Sequence, residues 1–322
     1  MDTLGSVGRR LLSLLVSLLI TSLIVFALVN ALPGDVAATI LGANSDPASI
    51  EALRQRMGLD RPLPVRYLDW LGGLLTGDLG DSALSSQSVA SIIGAKLAVT
   101  SWLALLSMLL AVLLAAPAGL FGAVRRRRAD GVLVSGLTQL GVAVPHFLVG
   151  LLLMVVFAVK LRWLPANGYT PLTGDPLQWA RHLVLPVAAI ATVEAAMLTR
   201  YVRSAFIDVL SEDYFRTARA VGWRFLAAVL RHGLRNASLG VVTVAGLQLA
   251  SLFVGSIVVE NVFLLPGLGS QLVTSVGSRD LPVVQDIVMI FVAIVLVINT
   301  AVDIVYRLLD PRVRAREEET GP

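Results

Sequence analysis

The sequence predicts an all-α protein that crosses a membrane several times, and two observations support this fold class. Of its 322 residues, 56% are hydrophobic and only 15% are charged, whereas soluble domains carry roughly 25% charged residues. The apolar residues also fall into runs of about 20, the length that a helix needs to cross a bilayer. Scarce polar surface and runs of spanning length together indicate a polytopic membrane protein.

Six runs are predicted to be transmembrane helices: Leu11–Leu32, Leu97–Val124, Val132–Val159, Leu183–Leu198, Leu239–Val259 and Val283–Leu308. The first follows two arginines, as a signal peptide would, but its length and poor cleavage sequence favour a retained anchor. The fourth is the weakest run, because Glu194 interrupts it. The chain is therefore predicted to comprise residues 1–32, an external segment 33–96, a membrane core 97–308 and a tail 309–322.

The basic residues predict the orientation, because cytoplasmic loops are enriched in arginine and lysine. With the N-terminus inside, 17 of the 26 basic residues lie on the cytoplasmic side. Five of the others lie in the long segment 33–96, where charge has little influence on topology. We expect both termini in the cytoplasm. The membrane also explains this basic charge better than nucleic acid does, so no nucleic-acid partner is expected.

The composition excludes several kinds of site. The chain has no cysteine, which rules out disulfides, thiolate catalysis and cysteine zinc sites. No pair among His146, His182 and His232 has metal-ligand spacing, and no catalytic triad is present. The stretch "LLPGLG" lacks the Lys-Ser/Thr pair of a nucleotide-binding loop. We therefore expect neither a catalytic nor a metal site in this chain.

A polar segment, about residues 200–236, separates the fourth and fifth runs, and it contains "SEDYFRTARAVGWRF". Residues 211–222 are predicted to be a helix, with Ser211 or Asp213 as its cap. Gly222 is predicted to be a stop, or a point where another backbone approaches closely. The residues alone leave two interpretations open. The segment is either an amphipathic hairpin on lipid headgroups or a docking element for a cytoplasmic partner.

The run "DYFRTARAVG", followed by "LRHGLRNASLGVVT", resembles the cytoplasmic-loop signature of binding-protein-dependent ABC importer permeases. It is most similar to the oligopeptide and dipeptide class, which includes nickel and glutathione permeases. The wider family has Glu-Ala-Ala where Arg216-Thr217-Ala218 stands here, so the role of that glutamate is not transferred. Four further blocks match the class in order along nearly the whole chain: "GLDRPLPVRYLDWLGGLLTGDLG", "WLPANGY", "VVENVFLLPGLGSQLVTSV…RDLPVVQ" and "NTAVDIVYRLLDPRVR".

The resemblance implies a permease subunit of the bacterial cytoplasmic membrane that takes up di- or oligopeptides. Glutathione, nickel chelates and other small cargo are the alternatives. The implied partners are a homologous second permease, two cytoplasmic ABC ATPases or one fused pair, an extracytoplasmic binding protein and membrane lipid. No enzymatic activity and no cofactor are expected in this chain, because the ATPases would bind ATP and magnesium.

The resemblance also implies that the cytoplasmic helix couples the permease to an ATPase. Tyr214 and Ala218 would then lie on the docking face, and Gly222 at the turn. Phe215 would either add contact area or be buried against the chain's own helices. The residues assigned to coupling are Asp213, Tyr214, Phe215, Arg216, Thr217, Ala218, Arg219 and Gly222.

Polar side chains inside spans are costly, so each one calls for a partner or a pore. The candidates for the translocation path are His146, Glu194, Gln248 and Asn299. Buried hydrogen bonding is the alternative for Glu194 and Gln248, and capping of carbonyls freed by Pro145 is the alternative for His146. Glu260 and Asp286 are expected either to contact substrate or the binding protein, or to be solvated helix ends.

An ion-coupled secondary transporter is the competing functional class. Such proteins need ionisable residues inside the membrane and often have repeated halves with broken helices. The sequence offers few such charges and no evident repeat, so an ATP-driven importer is favoured.

Overall fold

The computed structural model describes residues 2–31, 36–41 and 46–309, and these residues contain no β-strand. The all-α prediction is therefore confirmed. The helices are α1 (Asp2–Asn30), α2 (Val36–Leu41), α3 (Pro47–Arg56), α4 (Leu63–Thr76), α5 (Val89–Val124), α6 (Ala129–Ala143), α7 (His146–Leu153), α8 (Pro176–Ser211), α9 (Asp213–Ala220), α10 (Phe225–Ala228), α11 (Leu234–Val262), α12 (Leu268–Ser278) and α13 (Leu281–Leu309).

Five helices in the described part of the chain are long and apolar enough to cross a membrane: Gly8–Asn30, Val89–Val124, Pro176–Ser211, Asn236–Val262 and Leu281–Tyr306. Each contains or overlaps a predicted run. The helix that contains the fourth predicted run, Leu183–Leu198, is α8. It is far longer than that run, because it continues beyond the apolar centre at both ends. All but the first residue of the predicted tail 309–322 lies outside the described residues.

The predicted third span, Val132–Val159, is not one continuous helix. Instead, α6 and α7 meet at a bend of 100°. Pro145 explains the break, because proline lacks an amide N–H and disfavours a helical conformation at the residue before it. Val144 is accordingly extended, with φ −91° and ψ 126°. Beyond α7 the chain continues as a π-helix, Met154–Lys160.

The chain divides into two compact units. The first unit comprises Met1–Thr100 and Pro266–Val297, and the second comprises Ser101–Leu265 and Ile298–Pro322. In the first unit, α4 is attached to α1 by aromatic contacts and by a 2.9 Å hydrogen bond between Tyr67 Oη and Ser22 Oγ. Trp70 of α4 also donates from Nε1 to Asp286 of α13, at 2.7 Å. These contacts fix the amphipathic helix of the predicted external segment.

The second unit is organised around α8, which packs against α6, α7 and α11. Close packing depends on small residues. A Cβ atom on Gly119 would lie 2.5 Å from Cγ1 of Val202, and one on Gly246 would lie 2.1 Å from Cγ2 of Val302. Contacts this short leave no room for a side chain. Helix α8 thus provides a rigid support for the polar segment at its end and for Glu194 near its middle.

Candidate functional site

The polar segment forms a short helix, α9, directly after α8. Glu212 separates the two helices in an extended conformation, with φ −69° and ψ 145°. No side chain caps the start of α9, so the predicted cap at Ser211 or Asp213 is wrong. Ser211 instead donates from Oγ to the carbonyl oxygens of Ile207 and Asp208 in the last turn of α8. The hydroxyl therefore completes the preceding helix.

Gly222 ends α9 in the left-handed region, with φ +98°. Its amide donates to the Arg219 carbonyl at 3.1 Å, and the Trp223 amide donates to the Ala218 carbonyl at 3.2 Å. This pattern closes a helix with glycine, the residue that adopts positive φ at least cost. A Cβ atom on Gly222 would have only its chain neighbours within 4 Å. The predicted stop is confirmed, and the alternative of a close backbone approach is not.

The inner side of α9 is buried against the chain itself. Phe215 is only 4% exposed and belongs to a core cluster with Val202, Phe206 and Val209 of α8. Its ring meets the Phe225 ring edge-on, with 6.0 Å between centroids. Ala218, predicted to lie on the docking face, packs against the same cluster. Phe215 and Ala218 thus hold α9 on α8, and neither presents its side chain as outer contact surface.

The outer side of α9 combines apolar and basic groups. Val221 is 76% exposed and Tyr214 is 39% exposed. Tyr214 is held in place, because its hydroxyl accepts a 2.9 Å hydrogen bond from Asn236 Nδ2. Arg216, Thr217 and Arg219 are exposed. This outer surface of α9, formed by Tyr214, Arg216, Thr217, Arg219 and Val221, is therefore available to a partner or to lipid headgroups.

Two arginines on the outer surface differ in how firmly they are held. Arg216 forms a 3.4 Å ion pair with Asp213, and both side chains are largely exposed, so the pair adds little stability. Arg219 donates from Nη1 to the Trp223 carbonyl oxygen and lies 6.0 Å from the Phe225 ring centroid. Arg219 is thus fixed to the turn that follows α9. Arg216 can give up its weak ion pair with Asp213 and form a contact with another molecule instead.

His146 and Glu194 are the two path candidates that the structure brings together. The Nε2 atom of His146 lies 3.2 Å from Oε1 of Glu194. His146 is the first residue of α7, immediately after the Pro145 break. Its ring therefore contacts a carboxylate, rather than capping a carbonyl freed by the proline. The second oxygen of Glu194, Oε2, is buried and accepts no hydrogen bond from the described residues.

Gln248 and Asn299 show the same unsatisfied state. Both side-chain polar atoms of Gln248 and the Oδ1 atom of Asn299 are buried and unpartnered within the described chain. Leaving such a group unpaired costs about 1–3 kcal/mol. Internal hydrogen bonding, the alternative considered for Gln248, is therefore not observed. The buried polar atoms remain available to water, to cargo or to another subunit.

Glu260 and Asp286 are not solvated helix ends, since they are 0% and 1% exposed. Sequence reasoning missed the partner of Asp286, which is Trp70, more than 200 residues away in the chain. It also missed the Asn236–Tyr214 contact. The only signal in the sequence was the amphipathic pattern around Trp70, which indicated a buried face without naming what it would meet.

Comparison with known proteins identifies the family of the chain. Residues 115–315 match the family described as "Binding-protein-dependent transport system inner membrane component". Residues 4–104 match the N-terminal family of such membrane components. The chain is 43% identical to the glutathione transport system permease protein GsiC of Salmonella typhimurium (strain LT2), over 97% of this chain and 99% of that protein.

The GsiC protein of Escherichia coli (strain K12) is 42% identical over the same shares of the two chains. A solved structure described as an amino acid ABC transporter with histidines matches 67% of this chain and 94% of its own, with 17% identity and a TM-score of 0.49. Family matches and near full-length identity together show the family. The chain belongs to the multi-pass inner membrane permeases of binding-protein-dependent ABC importers, in the peptide and glutathione class.

Proposed function

We propose that this permease carries small peptides inward across the membrane and that glutathione, itself a tripeptide, is the first cargo to test. The observation that carries this proposal is the 42–43% identity to glutathione permeases along nearly the whole chain. Peptides that share the free ammonium and carboxylate groups of glutathione form the wider class. Nickel chelates and other small cargo remain the alternatives.

In the proposed mechanism, the outer surface of α9 faces the cytoplasm and docks on an ATPase subunit. Two ATPases, separate or fused, close on ATP and move the α9 elements of this chain and of a homologous second permease. The spans then alternate between outward and inward openings. This chain binds no nucleotide or metal and catalyses no reaction, and both of its termini lie in the cytoplasm.

Rigid attachment of α9 supports this role, because a moving ATPase shifts the spans only if the contact between them is stiff. The buried Phe215 and Ala218 fix α9 to α8, and α8 continues unbroken to Glu194 and beyond. Movement of α9 would therefore be transmitted along α8 to Glu194 near its middle. A helix resting on headgroups would need no such attachment.

The polar atoms of His146, Glu194, Gln248 and Asn299 are the proposed contacts for hydrated cargo. Unsatisfied polar groups inside spans are expensive and typically mark a substrate pathway. The second permease would share this path, and the extracytoplasmic binding protein would deliver the cargo to it.

Uptake into cells tests the cargo. The chain and its partner genes would be expressed in a bacterium that lacks its own glutathione and peptide importers, and uptake of radiolabelled glutathione, a dipeptide and a nickel chelate would be compared. Uptake of glutathione or the dipeptide that requires the ATPase supports the proposal. Uptake of the nickel chelate alone, or uptake that persists without the ATPase and follows an ion gradient, contradicts it.

A further inference from the structure

A cavity of about 570 Å³ lies within the first unit, between the end of α1, the loop that follows α3, α4 and the start of α13. Its volume falls within the range of about 300–1,000 Å³ that is usual for small-molecule sites. In the proposed topology this cavity opens on the external side. None of the residues assigned to coupling or to the translocation path lines it.

The cavity has one buried anionic group, the carboxylate of Asp286. Asp286 is 1% exposed, and its Oδ1 atom accepts the hydrogen bond from Trp70. No described residue donates a hydrogen bond to Oδ2. A buried carboxylate with only one neutral donor is poorly compensated. It is therefore suited to receive a cation, and a primary ammonium group can donate to the free oxygen.

The cavity also has a basic group without an acidic partner. Of its three arginines, Arg61 is paired with Asp69 and Arg54 with Glu51. Arg66 forms no ion pair or side-chain hydrogen bond with any described residue. Burial lowers the pKa of the Arg66 guanidinium, and no acid offsets this effect. A guanidinium in this setting can take both oxygens of a carboxylate.

Trp70 connects the two groups within the cavity. Arg66 and Trp70 are four residues apart on α4, so their side chains are neighbours on one face of the helix. Trp70 in turn contacts Asp286, and Arg66, Trp70 and Asp286 all line the cavity. Phe26 stacks on the indole ring of Trp70, with 6.0 Å between centroids. The site therefore offers a carboxylate, a guanidinium and the stacked rings of Phe26 and Trp70 in one cavity.

We propose that this cavity receives a zwitterionic peptide on its way to the membrane path, with the peptide ammonium at Asp286 and a peptide carboxylate at Arg66. The proposal rests on the proposed function, because it assumes a peptide cargo. Arg54 and Arg61 already have acidic partners, so Arg66 and Asp286 are the two charged groups of the described lining that are left for a ligand. Glutathione carries both complementary groups, an ammonium group and a carboxylate.

The site is tested by measuring how well variants distinguish glutathione from derivatives that lack its free amine or its free carboxylate. The complete importer would be reconstituted in liposomes with its binding protein, and uptake of glutathione would be compared with that of N-acetylglutathione and of the glycyl amide of glutathione. For Asp286→Asn, we expect the preference for the free amine to fall by about tenfold or more, as for loss of a charged hydrogen bond. The preference for the free carboxylate should not change. Arg66→Gln is expected to show the reverse pattern.

Two variants serve as matched controls. Asp280→Asn removes another buried acid, which accepts from Ser82 Oγ and the Ala83 amide and does not line the cavity. Arg61→Gln removes a cavity arginine that Asp69 already neutralises. Both should keep the two preferences. A ratio between two substrates cancels the amount of active complex, so poor folding alone changes neither ratio.

The outcomes separate the two proposals. If the unmodified importer transports glutathione and both Asp286→Asn and Arg66→Gln keep its preferences, the cavity assignment is wrong and the proposed function stands. If the unmodified importer transports neither glutathione nor a dipeptide, the peptide cargo is wrong, and the cavity assignment fails with it.

Discussion

Helix α9 and the polar side chains of the spans are the two polar regions of an otherwise apolar chain, and they differ in their contacts. Key side chains of α9 have partners within the chain, whereas several polar atoms of the spans have none among the described residues. On α9, Phe215 is packed into the chain's own core and Tyr214 is held by Asn236. Within the spans, Glu194 has one free oxygen and Gln248 has no partner among the described residues. An element that transmits force needs stiffness, whereas a path that must release its cargo needs unsatisfied groups. Variants on each side of this contrast should therefore behave differently.

The largest effect is expected for Gly222→Leu. A residue with a Cβ atom at φ +98° is strained by about 1–3 kcal/mol. Relief of this strain requires a change in the backbone of the turn, and that change would shift the outer surface of α9. We expect ATP-driven uptake to be abolished while the amount of protein in the membrane is unchanged. Uptake and membrane content would be measured on the same cells.

A matched pair of alanine variants isolates the backbone effect at Gly222. A Cβ atom at either Gly222 or Gly240 would meet open space, but only Gly222 has positive φ. Gly222→Ala should therefore lower uptake severalfold, and Gly240→Ala should leave it unchanged. Normal uptake by Gly222→Leu would refute the role assigned to this turn.

The next effect concerns the attachment of α9. Phe215→Ala removes a buried ring, a change that typically costs about 3–5 kcal/mol. We expect a lower midpoint of thermal unfolding for the purified complex, together with ATP hydrolysis that no longer drives uptake. Val221→Ala, at an exposed position, is the control for stability and should leave the midpoint unchanged. An unchanged midpoint for Phe215→Ala would show that α9 is not rooted in the core.

A smaller effect is expected in the spans, where a substitution should lower uptake without lowering stability. Gln248→Leu replaces an unpartnered amide with an apolar side chain of similar size, and such replacements are often neutral or stabilising. Thermal stability should therefore be maintained or raised, while uptake falls. Leu252→Gln, at a buried position one turn further along α11, provides the reverse control and should lower stability. If Gln248→Leu lost stability, the amide would be structural and the contrast with α9 would not hold.

Much of the fold follows from the sequence, because the length of an apolar run is matched to the thickness of the bilayer. Pro145 is visible in the sequence, but the third run is apolar on both sides of it and was therefore predicted to be one span, so the 100° bend was missed. Gly222 was predictable as a stop because a left-handed turn favours glycine. These features are local, and local chemistry determines them.

The remaining features depend on contacts between distant parts of the chain. The sequence does not show whether the Phe215 side chain points outward or into the protein. In so short a helix either face could be the buried one, and only packing on α8 decides between them. The Trp70–Asp286 and His146–Glu194 contacts join residues far apart in sequence. No periodic pattern predicts such pairs.

The central claim is that the outer surface of α9 is held by an ATPase, and site-directed crosslinking tests it most directly. The chain has no cysteine, so Val221→Cys provides a single reactive thiol on that surface, and Phe215→Cys provides a buried control. In membranes that contain the complete importer, we expect Val221→Cys to crosslink to an ATPase subunit and Phe215→Cys to give no such product. If Val221→Cys never reaches the ATPase and is instead labelled from within the lipid by a hydrophobic reagent, α9 lies on the membrane surface and the account is contradicted.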